Sequence, residues 1–416
     1  MDGEHKLAYR SQTHREDVFN CFREICSAKV YRYTVAGHGS QLLELMPDFR
    51  IFVSGYFHSR HAVEAGATWE LKDEPDGVPT LVISTGNNGS SYTLRKDENG
   101  DWKGQQLLQA QPDILLEPVY ATCTEEEKTY YRSLQENFVA SLSDHPIATG
   151  AGKGIIIPGG GEKYFIGAWV LINILRETLG CTLPIELWHL GTDEIPARLV
   201  PELQRLNVQC CDAYNEGNAP IIGQMSGWAL KPYALLNSRF AEVLLLDADN
   251  IPVRNPEYLF DDPSFKKTGS VFWPDFGALS EHRPIWEVCG VTYYQEAEFE
   301  SGQLLVDRLK HYNALRLAMF YNQHNNFFYR LVNGDKETFH MAWRRLGIDY
   351  TIVPKPILHL HCTMVQHDMS GKPLFQHRYG DKWLKDDQNL TIDGFIHERE
   401  CKQFIKLAEE KLYNNR

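Results

Sequence analysis

The chain lacks the signatures that would settle its function at a glance. It has no CxxC pair, no GxxxxGK[ST] phosphate loop and no GxGxxG fingerprint. Zinc-ribbon, thioredoxin-like, P-loop and dinucleotide-fold readings therefore fail on spacing. No apolar run approaches the ~18 residues of a membrane span, and the opening MDGEHKLAYRSQTHRED has no apolar signal core. Positive charge is also scarce: 42 Lys and Arg face 55 Asp and Glu, a formal net charge of −13. That balance argues against nucleic acid and polybasic membrane contacts. The nine Cys are odd in number and scattered apart from the Cys210-Cys211 pair. They read as reduced core thiols, which points to a reducing compartment. Together these absences predict a cytoplasmic protein if the chain is complete, or otherwise one whose anchor was removed. Asn88-Gly-Ser and Asn389-Leu-Thr match the glycosylation sequon.

What is present divides the 416 residues into dissimilar parts. Residues 13–30 predict a helix. The segments FRIFVSGYFHS, ATWELKDEPDGVPTLVIST and GNNGSSYTLRKDENGDWKG then alternate around Pro-Asp-Gly (75–77) and Glu-Asn-Gly (98–100), which are hairpin turn chemistry. Residues 1–120 are therefore expected to form a small antiparallel β module of unknown role. Thr124 followed by Glu127 is a capping-box pattern, so residues 121–150 are expected to be a helical linker. From Lys153 the pattern becomes strand, loop, helix: GIIIP, then a helix over 164–179, then IELWHL, a helix over 195–206, VQCCDA, a helix over 228–237 and AEVLLLDAD. Such alternation predicts an α/β domain with a mainly parallel sheet over 151–400. A C-terminal helix is expected over 401–416. SVFWPD, ESGQLLVD and DYTIVP read as further strands, and Lys310–Asn322 and Asp335–Leu346 as helices.

The most informative feature is Asp247-Ala-Asp249 after a run of apolar residues. On an extended chain, residues i and i+2 project to one side. Both carboxylates would emerge at the carboxyl end of a central strand, where open α/β sheets bind ligands. Like charges so close need a cation between them, and Mg²⁺ or Mn²⁺ suits oxygen ligands. The loop Pro158-Gly159-Gly160-Gly161-Glu-Lys163-Tyr164 closes the first of these strands. Its glycines would let backbone approach a ligand at a helix N-terminus. The stretch from His367 to Trp383 carries His367, Lys372, His377 and Lys382, which could close a metal and diphosphate site. His359-Leu-His361-Cys362 could be a zinc pair, although core histidines are the commoner outcome. Trp228, Trp273, Trp286, Tyr293 and Tyr294 could stack on a sugar, although large aromatics are mostly core.

These blocks resemble the MNN1-type α-mannosyltransferases, nucleotide-sugar glycosyltransferases of the GT-A fold. The likeness covers about residues 153–385 and is carried by GIIIPGGGEKYFIGAWVLINILRETLGCTLPIELWHLGTDEIP, LLLDADNIPVRNPEYLF, FWPDF, ESGQLLVD, GDKETFHMAWRRLG and MVQHDMSGKPLFQHR. It implies a Rossmann-like mixed sheet flanked by helices and a transferase of a sugar, mannose by analogy. The donor would be GDP-mannose or another nucleotide sugar, and the acceptor a glycan or other hydroxyl compound, with retention. The resemblance assigns Asp247 and Asp249 to Mn²⁺ or Mg²⁺, with His377 or alternatively His367 as third ligand. It assigns Pro158 to Gly161, Lys163, Tyr164, Lys231, Arg239, Ala248, Lys336 and Lys382 to the nucleotide sugar, and Glu300, Gln303 and Asp335 to the donor-sugar side. The family's Golgi members are anchored by an N-terminal span. Two other readings remain. Haloacid-dehalogenase-like phosphohydrolases also end a strand in DxD but expect Thr or Val where Ile251 stands. An inactive carbohydrate-binding relative would keep the fold without turnover.

Overall fold

The computed structural model describes Ile25 and residues 30–35, 39–45, 51–55, 59–62, 68–72, 78–85, 90–96, 101–106 and 114–118, then 123–143, 149–215, 227–360, 363–379, 382–385 and 389–413. The chain forms two compact units. One comprises Met1–Ala121, Phe276–Arg283 and Gln295–Ala297, and the other Thr122–Asp275, Pro284–Tyr294 and Glu298–Arg416.

Among its described residues the first unit contains nine strands: β1 (Val30–Val35), β2 (Gly39–Leu45), β3 (Ile51–Gly55), β4 (Ser59–Ala62), β5 (Thr68–Lys72), β6 (Thr80–Thr85), β7 (Ser90–Lys96), β8 (Trp102–Gln106) and β9 (Ile114–Pro118). They form one sheet in the order β4-β3-β2-β1-β9-β8-β7-β6-β5, and every adjacent pair is antiparallel. The antiparallel module is thus present and larger than expected. On β5 only Trp69 is buried while Thr68, Glu70 and Lys72 are exposed, the period-2 pattern of a strand with one face inward. The predicted 13–30 helix lies outside the described residues except for Ile25, which is helical and buried, and Val30, which opens β1 instead. The turn residues 75–77 and 98–100 also lie outside them, but the strands flanking each turn pair as hairpins, Lys72 opposite Thr80 and Lys96 opposite Trp102.

In the second unit the strands are β10 (Lys153–Pro158), β11 (Ile185–His189), β12 (Val208–Asp212), β13 (Glu242–Leu246), β14 (Asn250–Pro252), β15 (Ser270–Pro274), β16 (Phe299–Asp307), β17 (Thr351–Ile352), β18 (Leu358–Leu360), β19 (Thr363–His367) and β20 (Pro373–His377). The described α-helices are α1 (Glu125–Ala140), α2 (Gly161–Asn173), α3 (Val200–Arg205), α4 (Leu230–Asn237), α5 (Pro263–Thr268), α6 (Ile285–Cys289), α7 (Tyr312–Gln323), α8 (Asn325–Leu331), α9 (Lys336–Arg345) and α10 (Glu398–Tyr413). A seven-stranded sheet runs β12-β11-β10-β13-β16-β15-β17 and a four-stranded one runs β14-β20-β19-β18. The first four strands of the larger sheet are parallel. β16 is antiparallel to both of its neighbours, so the mainly parallel expectation holds for one half and the whole is mixed.

The apolar runs explain this placement. Ile155, Ile157, Leu187, Leu244, Leu246 and Leu305 join the core built with α2 and α10. The alternate residues Ile156, Val243, Leu245, Leu304 and Val306 are equally buried and project to the opposite face. A strand covered on both faces reads as a continuous apolar run rather than an alternating one. Helix α2 continues as a π-helical turn, Ile174–Thr178, and so completes the helix predicted to 179. Helix α1 has the expected capping box: Glu127 N–H donates to Thr124 Oγ1 at 3.1 Å, and Thr124 N–H to Glu127 Oε2 at 3.0 Å. The described Cys are all free. Burial pushes the Cys181 and Cys210 thiols up to about 11 and Cys289 to about 12, which leaves them unreactive. Strands β10 and β13 end at the same sheet edge, where β16 begins: Leu246 pairs with Gln303.

Leu245 is fully buried at the centre of this sheet. Leu245→Ala is therefore expected to destabilise the fold by about 2–5 kcal/mol. Urea unfolding followed by tryptophan fluorescence checks this, and a midpoint equal to the parent's would contradict it.

Candidate active site

Strand β13 delivers its two acidic residues into a tight turn. Asp247 N–H donates to the Gly302 carbonyl at 2.8 Å, and Asn250 N–H returns to the Asp247 carbonyl at 3.0 Å. Buried Asn250 fixes the turn from below, donating to the Gly302 carbonyl at 2.8 Å and to Gln303 Oε1 at 2.5 Å. From α4, Lys231 Nζ donates to Asp247 Oδ2 at 2.8 Å and to Ser301 Oγ at 2.9 Å, and lies 3.3 Å from Asp335 Oδ2. Ser301 Oγ in turn donates to Asp335 Oδ2 at 2.9 Å. On the other side, His377 Nε2 lies 3.1 Å from Asp249 Oδ1 while Lys382 Nζ binds Asp249 Oδ2. His377 Nδ1 is 3.7 Å from Glu300 Oε1, which accepts the Gly302 N–H at 2.8 Å.

Burial and neighbouring charge pull these groups in different directions. Burial raises Asp247 most, with Lys231 opposing and Asp249 adding to the rise. Burial opposes the charge on Asp249 too, but Lys382 and His377 outweigh it and hold that carboxyl well below its usual range. Glu300 is raised by burial, with His377 and Lys231 opposing. Burial works against a charged His377, yet Asp249 raises it above the ordinary 6.5. Burial likewise opposes a charged Lys231, and Asp247 and Asp335 raise it. Two carboxylates of one turn thus take opposite characters from their surroundings.

Asp247, Asp249 and His377 each offer a ligand atom, and these atoms all lie within 4.8 Å of one another. No other such group is found among the described residues. His377 Nδ1 is buried without a hydrogen bond. Two hard carboxylates with one borderline imidazole fit a divalent ion such as Mn²⁺.

The glycine loop shares this edge. A Cβ on Gly159 would lie 2.9 Å from Ala168 Cβ and 3.3 Å from Ala248 Cβ, and one on Gly160 would lie 2.5 Å from Glu194 Oε2. Gly161 has φ +68 and begins α2. The loop can thus lie against Ala248 and the 189–194 turn only without side chains. The Lys382 ammonium stands 5.5 Å from the Tyr164 ring. The Lys163 side chain lies outside the described residues.

Several residues named from sequence fall elsewhere. Arg239 precedes β13, at the end of the strand opposite Asp247, and pairs with Gln209 and Glu186. Gln303 is fully buried and donates to Gln366 Oε1 at 2.7 Å, so it supports the turn through Asn250. Lys336, by contrast, stays near this edge, paired with Asp275, which follows the end of β15 there. His367 is buried on β19, and burial lowers it to about 4. Its carbonyl accepts from Trp273 Nε1 at 2.8 Å. It is absent from the Asp247, Asp249 and His377 group. Lys372 immediately precedes the strand that His377 ends, and its N–H donates to Asp368 Oδ1 at 3.0 Å. His359 bonds Tyr379 Oη at 2.9 Å; His361 and Cys362 lie outside the described residues. Sequence reading missed Ser301, Asn250, Gln366 and Glu194. The first three adjoin recognised residues and carried that signal; Glu194 did not.

The family model described as "Mannosyltransferase putative" matches residues 152–298 and 290–360. The chain is 32% identical over 240 residues to alpha-1,2-mannosyltransferase MNN24 of Candida albicans, covering 48% of this chain and 34% of that protein. It is 27% identical over 292 residues to alpha-1,2-mannosyltransferase MNN2 of Saccharomyces cerevisiae, covering 59% and 47%. It therefore spans about a third to a half of the curated relatives it matches. The apo glycosyltransferase GlyE of Streptococcus pneumoniae overlaps it with a TM-score of 0.39 at 14% identity, over 62% of this chain and 63% of that one. That overlap is too partial to carry an argument. The matches correct the cytoplasmic expectation: the relatives are MNN-type mannosyltransferases, which are Golgi lumenal enzymes. No helix among the described residues is long and apolar enough to cross a membrane.

Protonated imidazole cannot ligate a metal, and Asp249 raises His377 above 6.5. Apparent Mn²⁺ affinity is therefore expected to climb as pH rises through that raised value. The climb should be lost in His377→Ala. Gly302→Ala would set a Cβ 2.5 Å from His377 Nδ1 and is expected to weaken Mn²⁺ roughly tenfold by displacing the ring. Calorimetric titration across pH checks both; a flat profile in the parent, or unaltered affinity in Gly302→Ala, would contradict them.

Proposed function

The chain belongs to the mannosyltransferase family whose model spans residues 152–360, and from that premise we propose that it transfers mannose from GDP-mannose to a glycan hydroxyl with retention. The observation that supports this most is the cluster at the carboxyl edge of β13. Asp247, Asp249 and His377 stand together there, flanked by Lys231 and Lys382 and beside the glycine loop. All these residues lie in the second unit, and we assign the transfer chemistry to it. Family membership sets aside the phosphohydrolase alternative, and retention comes from the family resemblance.

In this reading Asp247, Asp249 and His377 hold the divalent ion. When bound, it neutralises charge on the departing diphosphate. The Gly159 N–H donates to the Trp188 carbonyl, so the backbone N–H groups of Gly160 and Gly161, at the start of α2, would face the nucleotide side with little steric cost. Lys382, mounted on the late loop between the Tyr164 ring and Asp249, supplies a point charge for a phosphate oxygen. Lys231 holds Asp247 and Asp335 in place, so their oxygens are oriented before the donor arrives. Glu300 orients His377 from its Nδ1 side.

Asp247→Ala and Asp249→Ala are each expected to remove Mn²⁺-dependent turnover of the nucleotide sugar, and His377→Ala to weaken Mn²⁺ more than His367→Ala. Full activity in excess chelator, or the reverse order of the two histidines, would refute the assignment. A melting-temperature panel of GDP- and UDP-sugars with Mn²⁺ should give its largest rise with GDP-mannose. A larger rise with another donor would replace that choice.

A further inference from the structure

Eight of the nine tryptophans are buried, whereas Trp228 is 44% exposed. Exposure alone is ordinary for a single aromatic; the position of Trp228 is what points to a role. Trp228 lies in the helical turn Gly227–Ala229 that leads directly into α4. Lys231 follows three residues later, and residues three apart on a helical segment share a side. Lys231 is the residue that grips Asp247 and approaches Asp335. From the other direction, a Cβ on Gly334 would lie 3.6 Å and 3.7 Å from two carbons of the Trp228 ring. Residue 334 precedes Asp335 in the chain. Two separate chain segments therefore hold the indole beside the Lys231–Asp335 pair. The Tyr329 ring stands next to it, with centroids 5.8 Å apart and an interplanar angle of 49°.

We propose that Trp228 is the platform on which the acceptor sugar stacks, with the indole lying in van der Waals range of residue 334 beside Asp335. The ligand class is a hexopyranoside offering a patch of ring C–H groups to the electron-rich indole face. Stacking there holds the acceptor at the rim of the site, on the solvent side of Lys231 and Asp335, with its hydroxyls free to point inward. The proposal deepens the transferase reading and rests on it for the word acceptor; the sugar contact itself does not.

Two readouts separate the platform from the transferase reading. The first is tryptophan emission during titration with methyl α-mannoside, which needs no turnover. The parent should show a saturable change, which Trp228→Ala abolishes. The second is kinetic, with Mn²⁺ and GDP-mannose. Trp228→Ala should raise the acceptor KM roughly tenfold while donor hydrolysis without acceptor and donor KM stay within about twofold. Trp228→Phe should recover most of the loss. An unchanged acceptor KM in Trp228→Ala, or an equal fall in donor hydrolysis, overturns the platform. A parent that turns over no nucleotide sugar yet gives the Trp228-dependent signal supports the platform and overturns the transferase reading.

Discussion

Charge balance around one turn governs this molecule. Asp247, Asp249, Glu300 and Asp335 converge where β13 surfaces, and all four are largely buried. Isolated buried carboxylates would be too costly to keep ionised. Lys231, His377 and Lys382 answer them within 4 Å. The cations come from α4, from the end of β20 and from the loop after it, so three distant parts of the chain meet at one point. A buried pair of this kind is weak evidence of stability in itself. Its value lies in orientation: the carboxylate oxygens are aimed before any ligand binds.

The surrounding scaffold serves that aim. The parallel β10 and β13 bring the glycine loop and the acidic turn to the same edge, while the antiparallel β16 brings Glu300, Ser301 and Gly302 back to it. The smaller sheet pairs Asn250 with His377 across β14 and β20. His377 is thus tied through backbone to the turn that carries the carboxylates. Glycine at 302 leaves room for that imidazole. None of these contacts is replaceable by a loop of free choice.

Much of this was legible in the sequence because it rests on local rules. GIIIP and AEVLLLDAD are continuous apolar runs, and strands buried on both faces write themselves that way. The capping box at Thr124 and Glu127 is a four-residue signal that came out as read. The DAD spacing placed both carboxylates on one turn. What escaped depended on pairing between remote segments. The short strands β14, β18, β19 and β20 have three to five residues each, too few for a period to show. The choice between His377 and His367 turned on which end of β20 and β19 each occupies, and a β-bulge at Gln366/His367 alters that register. Arg239 looked close to Asp247 in sequence, yet the five-residue strand between them carries it to the opposite edge. Gln303 was named for the donor-sugar side; its bonds to Asn250 and Gln366 were not legible, because strand position alone cannot reveal which polar groups satisfy one another.

The account stands or falls on whether the carboxylate pair and His377 hold a divalent ion that also meets the nucleotide diphosphate. Anomalous diffraction from a crystal soaked with Mn²⁺ and GDP tests this most directly. The predicted result is a manganese peak among Asp247, Asp249 and His377, with diphosphate oxygens completing its coordination and Lys382 turned toward a phosphate. A manganese peak elsewhere, or GDP bound with no metal at this turn, would contradict it.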